Sequence, residues 1–271
     1  MLKTTFQHST IAAYQSGGKQ GIPVVLLHGF CEDSRMWDEW LPLLPPRLPC
    51  LRIDLPGFGR SELPGPVTIE SMADAVAAVL KNQNIDRCLL LGHSMGGYVA
   101  CAFAEKYPAQ LAGLCMFHSH PFADSEEKKA ARTKAIEFIR KNGHVLFVRQ
   151  MIPGLFAYDY SKGYPSEVNR LIFYATQYDP EAIIAALAAM RQRPDRSHVL
   201  KNIQCPVLFF IGKQDPAIPL SLSLAQTHLP AVADIQIYDD TGHMGMFKSP
   251  RRTAKAFRNF IKFLSDNTNN V

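Results

Sequence analysis

Five residues, Gly92-His93-Ser94-Met95-Gly96, fit the pattern G-x-S-x-G and stand where the apolar run "CLLL" meets "YVACAFAEKY". A serine between glycines is either a small residue in a tight turn or a nucleophile that the turn exposes. The strand-turn-helix setting favours the second, because so sharp a turn strains the serine backbone and leaves no room for a Cβ two residues to either side. Gly92 and Gly96 meet that need, and Gly97 lets the next helix start close to the sheet. Such a turn lifts the Ser94 hydroxyl to the carboxyl edge of a sheet and leaves the Met95 N–H beside it at a helix N-terminus.

A serine hydroxyl is a weak nucleophile at neutral pH and needs a base beside it. Of the nine histidines, His243 in "YDDTGHMGMF" follows the last expected strand, where a turn can hold an imidazole at the same edge. His28 and His93 flank glycines and are expected to pack and hydrogen-bond, while His8, His144, His198 and His228 fall at surface-like positions. The base in turn needs a carboxylate to hold its tautomer and stabilise its charged form. Asp215 in "VLFFIGKQDPAIP" is preferred, because it follows a strand and its loop is stiffened by Pro216 and Pro219. Asp239 and Asp240 read rather as turn formers in "DDTG", and Asp124 after "CMFHSHPFA" is a third alternative.

The elements that must position these residues alternate between short apolar runs and longer amphipathic ones. Strands are expected at 11–14, 23–29, 50–54, 88–92, 113–118, 206–212 and 234–239; most of the later ones are continuously apolar, as in parallel strands covered on both faces. Thr68 should cap a helix burying Ile69, Met72, Val76, Val79 and Leu80, and "SPRRTAKAFRNFIKFL" should bury Ala256, Phe257, Phe260, Ile261 and Phe263. These imply a doubly wound, mostly parallel α/β sheet. From Pro121 to Arg196 no strand is expected, only helical segments, one closed by Gly143 and another opened by Asp179 and Pro180. That divides the chain into a core of residues 1–120 and 197–271 and a helical cap of 121–196, placed over the carboxyl ends of the strands, where such sheets bind ligands.

Composition narrows the function classes. The chain of 271 residues is 47% apolar, enough for one buried core, and its net charge of +5 is spread out with no basic stripe for nucleic acid. The N-terminus has no apolar signal-peptide run and no stretch approaches the ~18 apolar residues of a membrane span, so a soluble, cytoplasmic protein is expected. Six scattered cysteines without a C-x-x-C pair suit a reducing compartment.

Five segments in this order resemble the α/β-hydrolase superfamily, from about Gly21 to Leu264: "LLHGFCEDSRMW" its oxyanion loop, "DLPGFGRS" its D-x-x-G-x-G-x-S loop, "GHSMGG" its nucleophile elbow, "GKQDPAIP" its acid loop and "GHM" its histidine loop. The resemblance implies the α/β-hydrolase fold with the helical cap inserted after the sixth strand, a Ser94–Asp215–His243 triad, and an oxyanion hole made by the backbone N–H groups of Phe30 and Met95. It is closest to small capped esterases, enol-lactonases and cofactor-free haloperoxidase-like members. Relatives with aspartate at the elbow form alkyl-enzyme esters; serine there favours acyl transfer. The expectation is a cofactor-free serine hydrolase that cleaves a small carboxylic ester, lactone or thioester through an acyl-enzyme on Ser94. C–C bond hydrolysis, perhydrolysis, or ligand reception by a retained triad stay open on the same fold. No nucleic-acid or membrane partner is expected, and the oligomeric state stays open.

Substrate contacts are expected from Cys31, His118 and Met244, and from Met151, Ile152 and Phe156, which with Leu155 form an apolar stripe in the cap. Arg149, Arg191, Arg193 and Arg196 could recognise a substrate carboxylate, although solvated helix faces account for most such arginines. His118 and His120 would share a face if their segment were extended, but no carboxylate or cysteine joins them at ligand spacing and no metal is expected.

Overall fold

A computed structural model describes residues 1–268. Its centre is one eight-stranded sheet, ordered β1-β2-β4-β3-β5-β6-β7-β8. The strands are β1 (Leu2–Phe6), β2 (Ser9–Ser16), β3 (Val24–Leu27), β4 (Cys50–Ile53), β5 (Cys88–His93), β6 (Leu111–Phe117), β7 (Val207–Gly212) and β8 (Ala233–Tyr238). β1 and β2 form an antiparallel hairpin and β2 pairs antiparallel with β4; every other pairing is parallel. β3, β5, β6 and β7 are buried at every position, as their unbroken apolar runs require.

β1 was not among the expected strands. It is an edge strand with Thr4 as its one buried residue, so it carries no hydrophobic period to read. With β1 counted, the long helical segment follows the sixth strand. That segment runs through α3 (Glu126–Asn142), α4 (His144–Met151), α5 (Tyr158–Gly163), α6 (Pro165–Ala175) and α7 (Pro180–Gln192), contains no strand among the described residues, and is followed by α8 (Ser197–Asn202). Its ends meet, for the Arg196 N–H donates to the Pro121 carbonyl at 2.8 Å. Local chemistry sets its helices: Ser125 Oγ accepts from the Lys128 N–H to start α3, Gly143 at φ +78° ends it, and Asp179 Oδ1 accepts from the Glu181 N–H to start α7.

The core helices follow the same rules. In α1 (Ile69–Asn82) Thr68 and Ser71 exchange side chain-to-backbone hydrogen bonds, satisfying two N–H groups of the first turn. The helix α2 (Met95–Lys106) starts directly after Ser94, and all its residues from Met95 to Ala104 are buried. The C-terminal helix α11 (Pro250–Thr268), preceded by the short α9 (Leu220–Ala225) and α10 (Gly245–Lys248), corrects one detail of the sequence pattern. Phe257, Phe260 and Leu264 are buried, whereas Phe263 is 44% exposed, because a 3.6-residue period carries the stripe from 257 through 260 and 261 to 264. No helix among the described residues is long and apolar enough to cross a membrane.

Phe257 packs on Trp40, with ring centroids 5.3 Å apart, and Trp40 continues to Trp37 and Phe117 beneath the carboxyl ends of the strands. Phe257→Ala should therefore cost about 3–5 kcal/mol of unfolding free energy in urea, and Phe263→Ala no more than about 0.5 kcal/mol. Equal costs for the two would mean that the helix presents a different face.

Candidate active site

Ser94 directly follows β5 with φ +49° and ψ −114°, a positive-φ conformation that costs a residue with a Cβ of order 1–3 kcal/mol. The surroundings hold it there. Its N–H donates to Phe117 O at 3.0 Å, and its own carbonyl accepts from the Gly97 N–H at 2.9 Å and Ser119 Oγ at 2.7 Å. A Cβ on Gly92 would sit 2.3 Å from Gly96 O, and one on Gly96 2.6 Å from His28 O, so backbone fills the space on both sides of the turn. Two further non-glycine residues have positive φ at the ends of neighbouring strands: Cys31 (+58°) after β3 and His118 (+46°) after β6. Three of the six described non-glycine residues with positive φ thus stand at the carboxyl edge of three adjacent strands, the others being Gln7 and His8 in the β1–β2 turn and Asn84 after α1.

Asp215 and His243 meet at that edge. His243 Nδ1 lies 2.8 Å from Asp215 Oδ2, while Asp215 Oδ1 accepts the N–H groups of Ala217 at 2.8 Å and Ile218 at 2.9 Å. Burial pushes the Asp215 pKa up, but the charge and hydrogen bond of His243, with smaller help from the Ile218 N–H, hold it below the usual carboxylate value. The other carboxylates are engaged elsewhere. Asp124 is held by Arg132 and Arg193, and Asp239 and Asp240 are exposed beside Lys213 and Arg252.

Ser94 and His243 border one cavity of about 320 Å³, with Phe30 and Glu32 from the loop after β3. Helix α3 presents Lys128, Ala131, Arg132 and Ala135 to it, residues at i, i+3, i+4 and i+7 on one helix face. Phe147, Met151, Leu155, Leu187, Met190 and Ile218 supply the apolar wall. Met95 is the first residue of α2, where an N–H has no acceptor within the helix.

The structure brings Met151 to the cavity but leaves the other five expected substrate contacts outside its lining. Cys31 is turned into the core by its positive φ, and burial raises its thiol pKa well above normal. Phe156 stacks on Tyr160 and packs edge-on against Phe247; Ile152 and Met244 are 3% and 1% exposed within the packed core. His118 faces Asp215 instead, with Nδ1 3.7 Å from Oδ2, and burial lowers its pKa to about 3, so a neutral ring packs on the carboxylate. Its turned backbone also parts it from His120, which stacks on Phe122. Among the described residues no group of three or more His, Cys, Asp or Glu is arranged to hold a metal ion.

The four arginines considered for carboxylate recognition are likewise not in the lining. Arg191 reaches Thr133, Arg193 holds Asp124, Arg196 holds Glu70 and Glu105, and Arg149 is exposed. Lys128 and Arg132 occupy the wall instead, together with Glu32 and Tyr98. Sequence reasoning missed these; the i, i+3, i+4, i+7 set on α3 was the one readable signal.

Residues 24–256 match the family described as the Alpha/beta hydrolase family. A thermophilic esterase from Thermogutta terrifontis has a similar structure, with 31% identity, coverage of 97% of this chain and 98% of that one, and a TM-score of 0.90. Among curated proteins, the pimeloyl-acyl-carrier-protein methyl ester esterase of Neisseria meningitidis is 27% identical over 88% of this chain and 93% of its own. The 2-succinyl-6-hydroxy-2,4-cyclohexadiene-1-carboxylate synthase of an Enterobacter species is 28% identical over 90% of this chain and 94% of its own.

The depressed Asp215 pKa sets the sign of a pH effect. Its contribution to stability is present above the unfolded carboxylate value and is lost as pH falls through the folded one. The stability gap between the wild type and Asp215→Asn should accordingly shrink on acidification in parallel denaturation series. A gap that widened towards low pH would contradict this assignment of charge.

Proposed function

The chain belongs to the alpha/beta hydrolase family, and on that footing we propose that it hydrolyses small carboxylic esters, lactones or thioesters through an acyl-enzyme on Ser94. The observation that carries this reading is the 2.8 Å contact between Asp215 and His243 beside a strained Ser94 in one cavity. His243 Nδ1–H donates to Asp215, which leaves Nε2 free of a proton and able to take that of Ser94 as its oxygen attacks the carbonyl carbon. The backbone N–H groups of Phe30 and Met95 stabilise the oxyanion, a donor of this kind being worth about 3–4 kcal/mol in the transition state. His243 then gives the proton to the leaving oxygen or sulfur, and water, deprotonated by the same imidazole, cleaves the acyl-enzyme.

The helices of residues 121–196 act as a cap over this site, with residues 1–120 and 197–271 as the core. Two hydrogen bonds support that role. The His243 N–H donates to Leu155 O at 3.0 Å and Tyr178 Oη to Asp33 Oδ2 at 2.6 Å, which tie the helices to the loops that follow β8 and β3. Phe147, Met151 and Leu187 suit an acyl group of modest size. The similarity to a synthase as close as that to an esterase keeps a second chemistry on the same triad in view.

A fluorophosphonate probe should label Ser94, and Ser94→Ala should abolish labelling and lower ester hydrolysis by at least about 10³-fold while the protein stays folded. p-Nitrophenyl esters, thioesters and lactones assayed beside 1,3-diketone substrates and peroxide-dependent halogenation should be turned over preferentially. Turnover of the diketones or the peroxide reaction alone would favour the second chemistry; labelling that persists in Ser94→Ala would refute the nucleophile.

A further inference from the structure

Glu32 is the one carboxylate among the described residues that line the cavity, yet its side chain is only 5% exposed. Its Oε2 accepts the Gly29 N–H at 2.7 Å, and the same oxygen lies 2.9 Å from His93 Nδ1. His93, wholly buried, places its other nitrogen 3.0 Å from the carbonyl oxygen of His243. We propose that Glu32 and His93 are a charged clamp that holds the loop after β3 and the loop of His243 in register on either side of Ser94. The inference rests on the hydrolytic reading above and adds two positioning residues to it.

The hydrogen-bond geometry carries the argument. A carbonyl oxygen only accepts, so His93 Nε2 bears a proton. Glu32 Oε2 already accepts the Gly29 N–H, and a single oxygen facing two nitrogens serves both well when it is a carboxylate and both are donors. His93 is then an imidazolium with a proton on each nitrogen. Gly29 fits the same arrangement, since a Cβ there would fall 2.6 Å from His93 Nδ1 and 2.7 Å from Glu32 Oε2. The clamp touches residue 29, one before the proposed oxyanion donor, residue 93, one before the proposed nucleophile, and the backbone of the proposed base itself.

The neighbouring groups preserve this charge state. Burial opposes charging either partner, but Glu32 raises the His93 pKa, helped by the His243 carbonyl and Asp215, and His93, with help from the Gly29 N–H, lowers that of Glu32. Around them stand the ring of His243 at 5.0 Å, the neutral ring of His118 at 6.4 Å, the edge of Phe117 at 6.2 Å and the protonated thiol of Cys31. His28 donates from Nδ1 to Gly29 O at 2.7 Å and accepts the Leu55 N–H on Nε2 at 2.8 Å, so it is neutral. Lys128 and Arg132 on α3 are the cations of the cavity wall. The clamp therefore holds between two limits: it opens when pH falls through the lowered Glu32 value, and again when pH rises through the raised His93 value and sets a bare Nδ1 against a carboxylate.

Glu32→Gln separates this from plain packing, because one amide atom cannot both accept from Gly29 and satisfy a neutral His93. In the full-length protein with p-nitrophenyl acetate, kcat should fall at least about 10-fold with KM changed less than about 3-fold, and the alkaline limb of kcat/KM should move down by about one pH unit or more. A wild-type pH profile with kcat within about 2-fold would overturn the clamp. Should the variant not fold, ¹⁵N spectra of the wild-type histidines decide: two protonated nitrogens on His93 at neutral pH support it, and a neutral ring overturns it. Absence of fluorophosphonate labelling at Ser94 in the wild type would instead sink the hydrolytic reading, and the catalytic role of the clamp with it.

Discussion

The site depends on one constraint, a sharp reversal at Ser94 between a fully buried strand and a helix buried from Met95 to Ala104. With β5 between β3 and β6 and α2 packed behind it, the reversal has no lateral room, and the backbone of Ser94 takes up the difference as positive φ. Gly92 and Gly96 are consequences, since backbone atoms occupy the places their side chains would need. The strain is held by hydrogen bonds to the next strand and loop, through Phe117 O and Ser119 Oγ. The same packing that makes the turn costly keeps it in one conformation.

A second constraint follows from burial. Placing a serine and a histidine at the floor of a cavity, with an aspartate buried behind them, removes the water that would otherwise satisfy their neighbours. Each buried charge here is met by a specific partner. Asp215 takes His243 on one oxygen and two backbone N–H groups on the other, and Glu32 takes Gly29 and His93. Buried ion pairs seldom add much net stability compared with apolar packing, so their physical value lies in fixing direction. Each of these contacts orients a loop that carries a residue of the site.

Much of this was legible in the sequence, for reasons that can be traced residue by residue. β3, β5, β6 and β7 are short continuous apolar runs, and Asp215 and His243 each follow a strand, so topology alone brings their loops to one edge. β1 could not be read because an edge strand with one buried residue has no apolar period. In α11, apolar residues at 260, 261, 263 and 264 fit more than one stripe, and only packing chose Leu264 over Phe263. Glu32 left no signal, since its partner lies 61 residues away and the acidic pair Glu32-Asp33 in a loop looks like surface. The cavity wall was hardest: Met151 and Ile152 are neighbours about 100° apart on a helix, and which of them faces the cavity is decided by packing at the junction of α4 with a short 3₁₀ turn.

That last difficulty has a physical consequence for specificity. The wall is built by helices whose sequences need only be amphipathic to pack, so lining positions can change without disturbing the sheet or the reversal at Ser94. Yet the wall is not mechanically independent, because Leu155 O receives the His243 N–H and Tyr178 bonds Asp33 beside Glu32. A substitution that shifts α4 or α7 to admit a larger group also pulls on the loops of His243 and Glu32. Positions facing the cavity and free of these bonds, such as Phe147 and Leu187, are where the fold allows the bound group to vary without moving the loops beneath it.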